Sequence, residues 1–287
     1  MEAWRKHWGA DQWAAYFETK KLPVMGRSKL LVSALEEREG EELSPHDLAL
    51  IVLGDPLLCL QLLREAERVR TSRLGNETTT TLQAIMQLGI DGFKKLLFNS
   101  AEIDDTNPGL LYVEARSSLA SRVALRWASG RSDMSPVEVA LAALLSDTGE
   151  LLLWLYAPEL GQAALDELHS GRAKRSSQAQ SQACGFDFKQ LTIRCAEIWN
   201  LPTLLLKLLR GAETERAMLT RTCTNFARHL MNTDESSDQA LASDLVDAHK
   251  LVPGVTLEWL LEDIGEIGES RKLQLIERAK ALHTDEI

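Results

Sequence analysis

Six histidines and four cysteines are the side chains from which this sequence could build a metal centre or a nucleophile. The histidines, His7, His46, His169, His229, His249 and His283, stand at no spacing that would bring two imidazoles to one helix face or turn. Cys59, Cys184, Cys195 and Cys223 form no CxxC pair and have no base beside them, so they read as free buried thiols. The adjacent pair His46-Asp47 follows Ser44-Pro45, a helix-opening pattern in which Asp47 is a first-turn carboxylate rather than a ligand. No GxGxxG, GxxxxGKS or GxxxxGKT loop is present to cradle phosphates. One acid stands out. Asp147 is flanked by Leu144, Leu145, Leu151 and Leu152, which places a carboxylate near the core beside Ser146 and Thr148. Two readings fit it. With Ser146, Thr148 and Gly149 it satisfies backbone donors at a helix interruption, or it meets Arg116, Arg122 or Arg210 in a pocket for a small, nucleotide-like ligand.

The elements that must position these groups are helices. Apolar residues recur at three and four positions along nearly the whole chain, and strict alternation is missing. Ser44-Pro45-His46-Asp47 and Ser135-Pro136-Val137-Glu138 each combine an N-cap hydroxyl, proline at the first helical position and a carboxylate two residues later. Asp55-Pro56 repeats the cap-plus-proline logic, and Gly89 closes one helix while Asp91 is expected to cap the next. Short turns imply antiparallel neighbours. The expected divisions are an aromatic-rich helix over 1–18 with Trp4, Trp8, Trp13 and Phe17, a set of short helices over 19–105, longer helices over 106–232, and a C-terminal helical extension over 233–287. The boundary between the two middle parts falls at Asp104-Asp105-Thr106-Asn107-Pro108-Gly109, where the helical period is interrupted.

Composition narrows the function. With 45% apolar residues over 287 positions, a sizeable core is affordable. A formal charge of −10 disfavours a nucleic-acid partner. The one basic run, Gly171 to Arg175, reads as a solvated loop. The first residues have no apolar segment of signal-peptide length, and the run Leu151 to Ala157 is too short to cross a bilayer, so a cytoplasmic protein without a membrane partner is expected.

Several segments resemble one family in order and spacing. Leu22-Pro23 opening a helical stretch, Asp55-Pro56-Leu57-Leu58 at a helix start, and Leu82-Gln83-Ala84-Ile85-Met86-Gln87-Leu88-Gly89 before a second helix resemble the N-terminal half of HDOD domains. Leu144-Leu145-Ser146-Asp147-Thr148-Gly149-Glu150-Leu151 is similar to the Leu-His-Asp-Ile-Gly-Lys-Leu core of the HD superfamily of phosphohydrolases, with serine in place of histidine. Gly185-Phe186-Asp187-Phe188 and Trp199-Asn200-Leu201-Pro202 resemble later family segments. The resemblance covers residues 19 to 230 and implies an all-α fold, an N-terminal helical half packed on a degenerate HD-like half. In its register the family histidines fall near Ser117, on Ser146, on Phe188 and near Arg210 or Gly211, while Asp147 is kept.

The chemistry of an HD phosphohydrolase demands several imidazole and carboxylate ligands, because only a divalent metal makes water acidic enough to attack phosphate near neutral pH. One carboxylate beside a serine hydroxyl does not meet that demand. The expected protein is therefore non-catalytic and without a cofactor, and the resemblance to HDOD domains implies a signalling module, a monomer or homodimer that binds protein partners or a small signal molecule. A metal-dependent phosphohydrolase with an atypical site and a nucleotide-sensing module are the alternatives. Trp4, Trp8 and Trp13 either dock their helix on the body or meet a partner.

Overall fold

The computed structural model describes residues 7–37, 43–70, 77–232 and 237–285, with residues 283–285 described by backbone alone. Trp4 lies outside them. Every regular element among the described residues is a helix, and the one extended contact is an isolated parallel bridge between Val24 and Glu102. The first part of the chain carries α1 (Ala10–Glu18), α2 (Gly26–Glu36), α3 (Pro45–Val52), α4 (Pro56–Val69), α5 (Thr81–Leu88) and α6 (Ile90–Asn99). Longer helices follow: α7 (Pro108–Ala128), α8 (Pro136–Leu145), α9 (Thr148–Tyr156), α10 (Pro158–His169), α11 (Ser176–Cys184), α12 (Phe188–Ile198), α13 (Thr203–Arg210) and α14 (Glu215–Met231). The chain ends with α15 (Ser237–Leu251), α16 (Leu257–Leu261) and α17 (Glu269–Asp285).

The starts read from the sequence work largely as expected. Ser44 Oγ accepts from His46 N at 3.2 Å, Ser135 Oγ from Glu138 N at 3.4 Å, and Asp55 Oδ1 from Leu57 N and Leu58 N at 3.1 and 3.0 Å. Two expectations need correction. Asp91 does not cap α6: Gly89, at φ +74°, is at once the C-cap of α5 and the N-cap of α6, so Asp91 falls inside the first turn. Among the described residues the aromatic helix begins at Ala10, where Gln12 Oε1 turns back to accept from Gly9 N at 3.0 Å, while residues 1–6 of the expected helix lie outside the described residues. Trp8 therefore precedes α1 and stacks edge-on against Trp13, ring centroids 5.0 Å apart. Trp13 and Phe17 are buried, and α1 lies against α12.

α7 is the spine. It packs against α8, α9 and α14, and its buried residues follow the 3.6-residue period from Leu110 through Val113, Ser117, Ala120 and Ala124 to Trp127. One large core runs from Trp13 in α1 to Ala279 in α17, and a second, small one joins Leu57, Leu110, Val113, Leu151 and Trp154. Trp154 is clasped by two glycines: a Cβ at Gly109 would lie 2.3 Å from its ring, and one at Gly161 2.6 Å. Pro136–Tyr156 is apolar enough over 21 residues to cross a membrane by length and composition, more than the short run singled out in the sequence, but 72% of its most apolar window is buried inside the fold. Ser146 and Asp147 break this segment into α8 and α9, and that break builds the site.

Candidate functional site

The turn between α8 and α9 is held by hydroxyls. Ser146 Oγ donates to Ala142 O at 2.8 Å and Thr148 Oγ1 to Leu145 O at 2.8 Å, so both occupy carbonyls that the end of α8 leaves free. Gly149 must be glycine, because a Cβ there would stand 2.5 Å from Phe188 O and 2.8 Å from Thr192 N. Its N–H donates to Thr192 Oγ1 at 2.9 Å, which ties the start of α9 to α12. The capping reading of Asp147 is thereby corrected. Its side chain makes no cap hydrogen bond, and the carboxylate is turned toward α7 instead.

There it meets a guanidinium. Arg116 Nε donates to Asp147 Oδ2 at 2.8 Å and Arg116 Nη2 to Glu150 Oε2 at 2.7 Å, with side-chain exposures of 6% for Arg116, 12% for Asp147 and 15% for Glu150. Arg228 of α14 stands on the other carboxylate oxygen at 3.5 Å. Burial pushes the Asp147 carboxyl up, but the Arg116 and Arg228 guanidinium groups outweigh it and hold the acid below the usual carboxylate range. Burial alone would lower Arg116. The two carboxylates reverse this and raise it, so it stays a cation. The Arg116 guanidinium also lies 5.6 Å from the centre of the Tyr112 ring.

Of the arginines named from the sequence, only Arg116 is brought to Asp147. Arg122 pairs with Glu266 at the surface, and Arg210 pairs with Glu197 at 2.5 Å. The positions read as emptied ligand sites also divide. Ser146 is at the turn, Ser117 is buried on α7 with its Oγ unpartnered among the described residues, and Phe188 is buried at the start of α12. Gly211 ends α13 in the left-handed region, φ +78°. Sequence reasoning missed Glu150, Arg228 and Thr192. Glu150 was legible as the single charged residue of α9, three positions after Asp147 and so on the same face. Arg228 and Thr192 come from α14 and α12, and no local pattern points to them.

A second polar cluster ties the starts of α2 and α4 to α7. Asp55 is buried and accepts from Met25 N at 2.9 Å and Ser28 Oγ at 2.7 Å besides its two cap bonds. Arg27 reaches across to Glu114 of α7 and donates to Gly54 O at 2.6 Å. Burial pushes the carboxyls of both Asp55 and Glu114 up, against the hydrogen bonds that each receives. His229 Nδ1 lies 2.6 Å from Asp244 Oδ2, linking α14 to α15.

A divalent metal does not fit this donor set. Both Asp147 oxygens face guanidinium groups, Ser146 Oγ is spent on a carbonyl, and no group of three or more His, Cys, Asp or Glu among the described residues is placed to hold an ion. All four cysteines are buried, and burial pushes their thiols up, that of Cys184 to about 11, away from nucleophilic use.

Comparison with known proteins agrees with this architecture. The family model of the HDOD domain matches residues 27–215. A virulence factor from Campylobacter jejuni superposes with a TM-score of 0.69 at 16% identity, over 92% of this chain and 98% of that one. The MmoQ response regulator from Methylococcus capsulatus superposes with a TM-score of 0.60 at 18% identity, over 90% and 98%. At such identities the likeness is one of fold. No curated protein matches the chain.

Proposed function

The chain belongs to the HDOD domain family, and from that premise we propose that it is a non-catalytic signalling module, acting by binding protein partners or a small signal molecule. One observation carries the reading: the aspartate at the HD position is ion-paired to Arg116 and Arg228 instead of facing metal ligands. A carboxylate so engaged cannot also strip water from a hard cation and hold it. The HD-like ancestry supplies the helical scaffold without the ligands. That a fold neighbour is a response regulator supports a signalling context. Turnover is the test. Purified protein with Mn²⁺, Mg²⁺ or Fe²⁺ and generic phosphodiester and nucleotide substrates is expected to show no hydrolysis above background. Hydrolysis abolished by Asp147→Ala would overturn the proposal.

A further inference from the structure

A cleft of about 430 Å³ opens between the second half of α7 and the segment 262–266 that joins α16 to α17. α7 lines it with Leu119, Arg122, Val123 and Arg126, which at spacings of three and four share one helix face. Leu119 and Val123 are buried and form an apolar floor, which Ile264, also buried, continues on the opposite side. The rim is charged. Arg122 is ion-paired to Glu266 and Arg126 to Glu262, so each pair joins α7 to the segment facing it. An apolar floor beneath a few convergent polar groups, at this volume, is the make-up of a small-molecule site.

We infer that this cleft binds a small aliphatic acid, whose chain lies on Leu119, Val123 and Ile264 and whose carboxylate takes the Arg122 and Arg126 guanidinium groups from Glu266 and Glu262. Arg126 decides the charge of the head group. Its guanidinium is held 4.1 Å from the centre of the Trp259 ring, and its Nε is out of water and donates to no atom among the described residues. What this side of the cleft can still serve is an acceptor. A cation would need acids turned inward with their charge unanswered, whereas Glu262 and Asp263 are 61% and 78% exposed and are answered by water. The exchange of partners costs little, because exposed ion pairs contribute little and both glutamates return to water on release. Each methylene laid on the floor leaves water, and that supplies the affinity.

The inference rests on the non-catalytic reading for the small molecule's role as a signal, but binding tests the one and turnover the other, so the two fail separately. The probe is octanoate, with octanol and octylammonium as its neutral and cationic counterparts. Each is titrated by calorimetry into the full chain, into Arg122→Gln and into the double variant Glu262→Gln with Glu266→Gln, and methyl resonances locate the site. The unaltered chain should bind one octanoate in the millimolar range or tighter, with shifts at the methyl groups of Leu119, Val123 and Ile264. It should prefer octanoate to octanol and to octylammonium by about tenfold, the worth of a charge-assisted hydrogen bond. Arg122→Gln should lose about tenfold in octanoate affinity and leave octanol unchanged. The double variant should bind octanoate about fivefold more tightly, because the competing acids are gone. All three substitutions fall on exposed side chains, and should Arg122→Gln not fold, the double variant still decides. No binding of octanoate, shifts confined to other methyl groups, or octanol bound as tightly as octanoate would each overturn the inference. So would a preference for octylammonium that the double variant abolishes, an Arg122→Gln that keeps full octanoate affinity, or a double variant that binds octanoate no better than the parent.

Discussion

Ser117 is the one hydroxyl near the Arg116–Asp147 pair with nothing to do. Its Oγ is buried on α7 next to Arg116, and no partner among the described residues reaches it, although a helical serine normally donates to the carbonyl four residues back. A hydroxyl withdrawn from water without a hydrogen bond costs about 1–3 kcal/mol. Ser117→Ala removes that cost with a small loss of volume, so we expect it to stabilise the protein by about 1 kcal/mol, read as a higher urea midpoint at unchanged slope. A lower midpoint would mean that the hydroxyl has a partner on which the fold depends. At this scale the sequence was only partly legible. Asp147 stood out because an acid among leucines must be answered, and Arg116 because it was one of few nearby cations. Choosing between Arg116, Arg122 and Arg210 required knowing which face of each helix turns inward, and the ion pairs of Arg122 with Glu266 and Arg210 with Glu197 are made across chain distances that no spacing rule reaches.

Elements were easier to read, because the signals that start and stop them are local. Ser44, Asp55 and Ser135 cap the helices that they were expected to cap, since a short polar side chain followed by proline has few other uses. The misplacements share a cause. Asp91, Trp8 and Gly9 were assigned by residue type, whereas Gly89 at positive φ and the Gln12 side chain that turns back to Gly9 decided the boundaries by geometry. What no pattern predicted is how closely two elements meet. Gly149 sits where α9 touches the backbone of α12, and the atoms that a methyl group would strike are Phe188 O and Thr192 N, neither of which can swing aside. Gly149→Ala should therefore push α9 off α12, break the 2.9 Å bond to Thr192 Oγ1, and cost about 1–3 kcal/mol. Gly265→Ala is the matched control, since no atom stands within 4 Å of the added carbon, and should stay within about 0.5 kcal/mol of the parent. Equal midpoints for the two variants would show that α9 and α12 can separate freely.

Across the whole molecule, α7 gathers ties from every part of the chain. Glu114 pairs with Arg27 of α2, Arg116 with the α8–α9 turn, and Trp127 Nε1 donates to Leu260 O of α16 at 2.7 Å. Arg126 stacks on the Trp259 ring at 4.1 Å and pairs with Glu262, while Arg131, just beyond the helix, donates to Leu251 O of α15 at 2.6 Å. The last two groups lie past residue 215, where the match to the family model stops, but the core does not stop there. Leu241, Leu245, Ala248 and Val252 around α15, Leu260 and Leu261 of α16, and Leu275 and Ala279 of α17 are buried in the same apolar cluster as Trp127 and Phe226. Each fully buried aliphatic side chain contributes roughly 1.5–3 kcal/mol, and the net stability of a domain is only about 5–15 kcal/mol. Deleting everything after Met231 would strip several such side chains and lay bare the faces of α7 and α14 that they cover. The shortened chain, although it contains the whole family-matching segment, should lose its cooperative thermal transition and bind a hydrophobic dye, as circular dichroism and fluorescence would show. A single sharp transition within a few degrees of the full chain would mean instead that the C-terminal helices are an appendage, and that the ties from α7 to Leu251 and Leu260 hold them on without supporting what lies beneath.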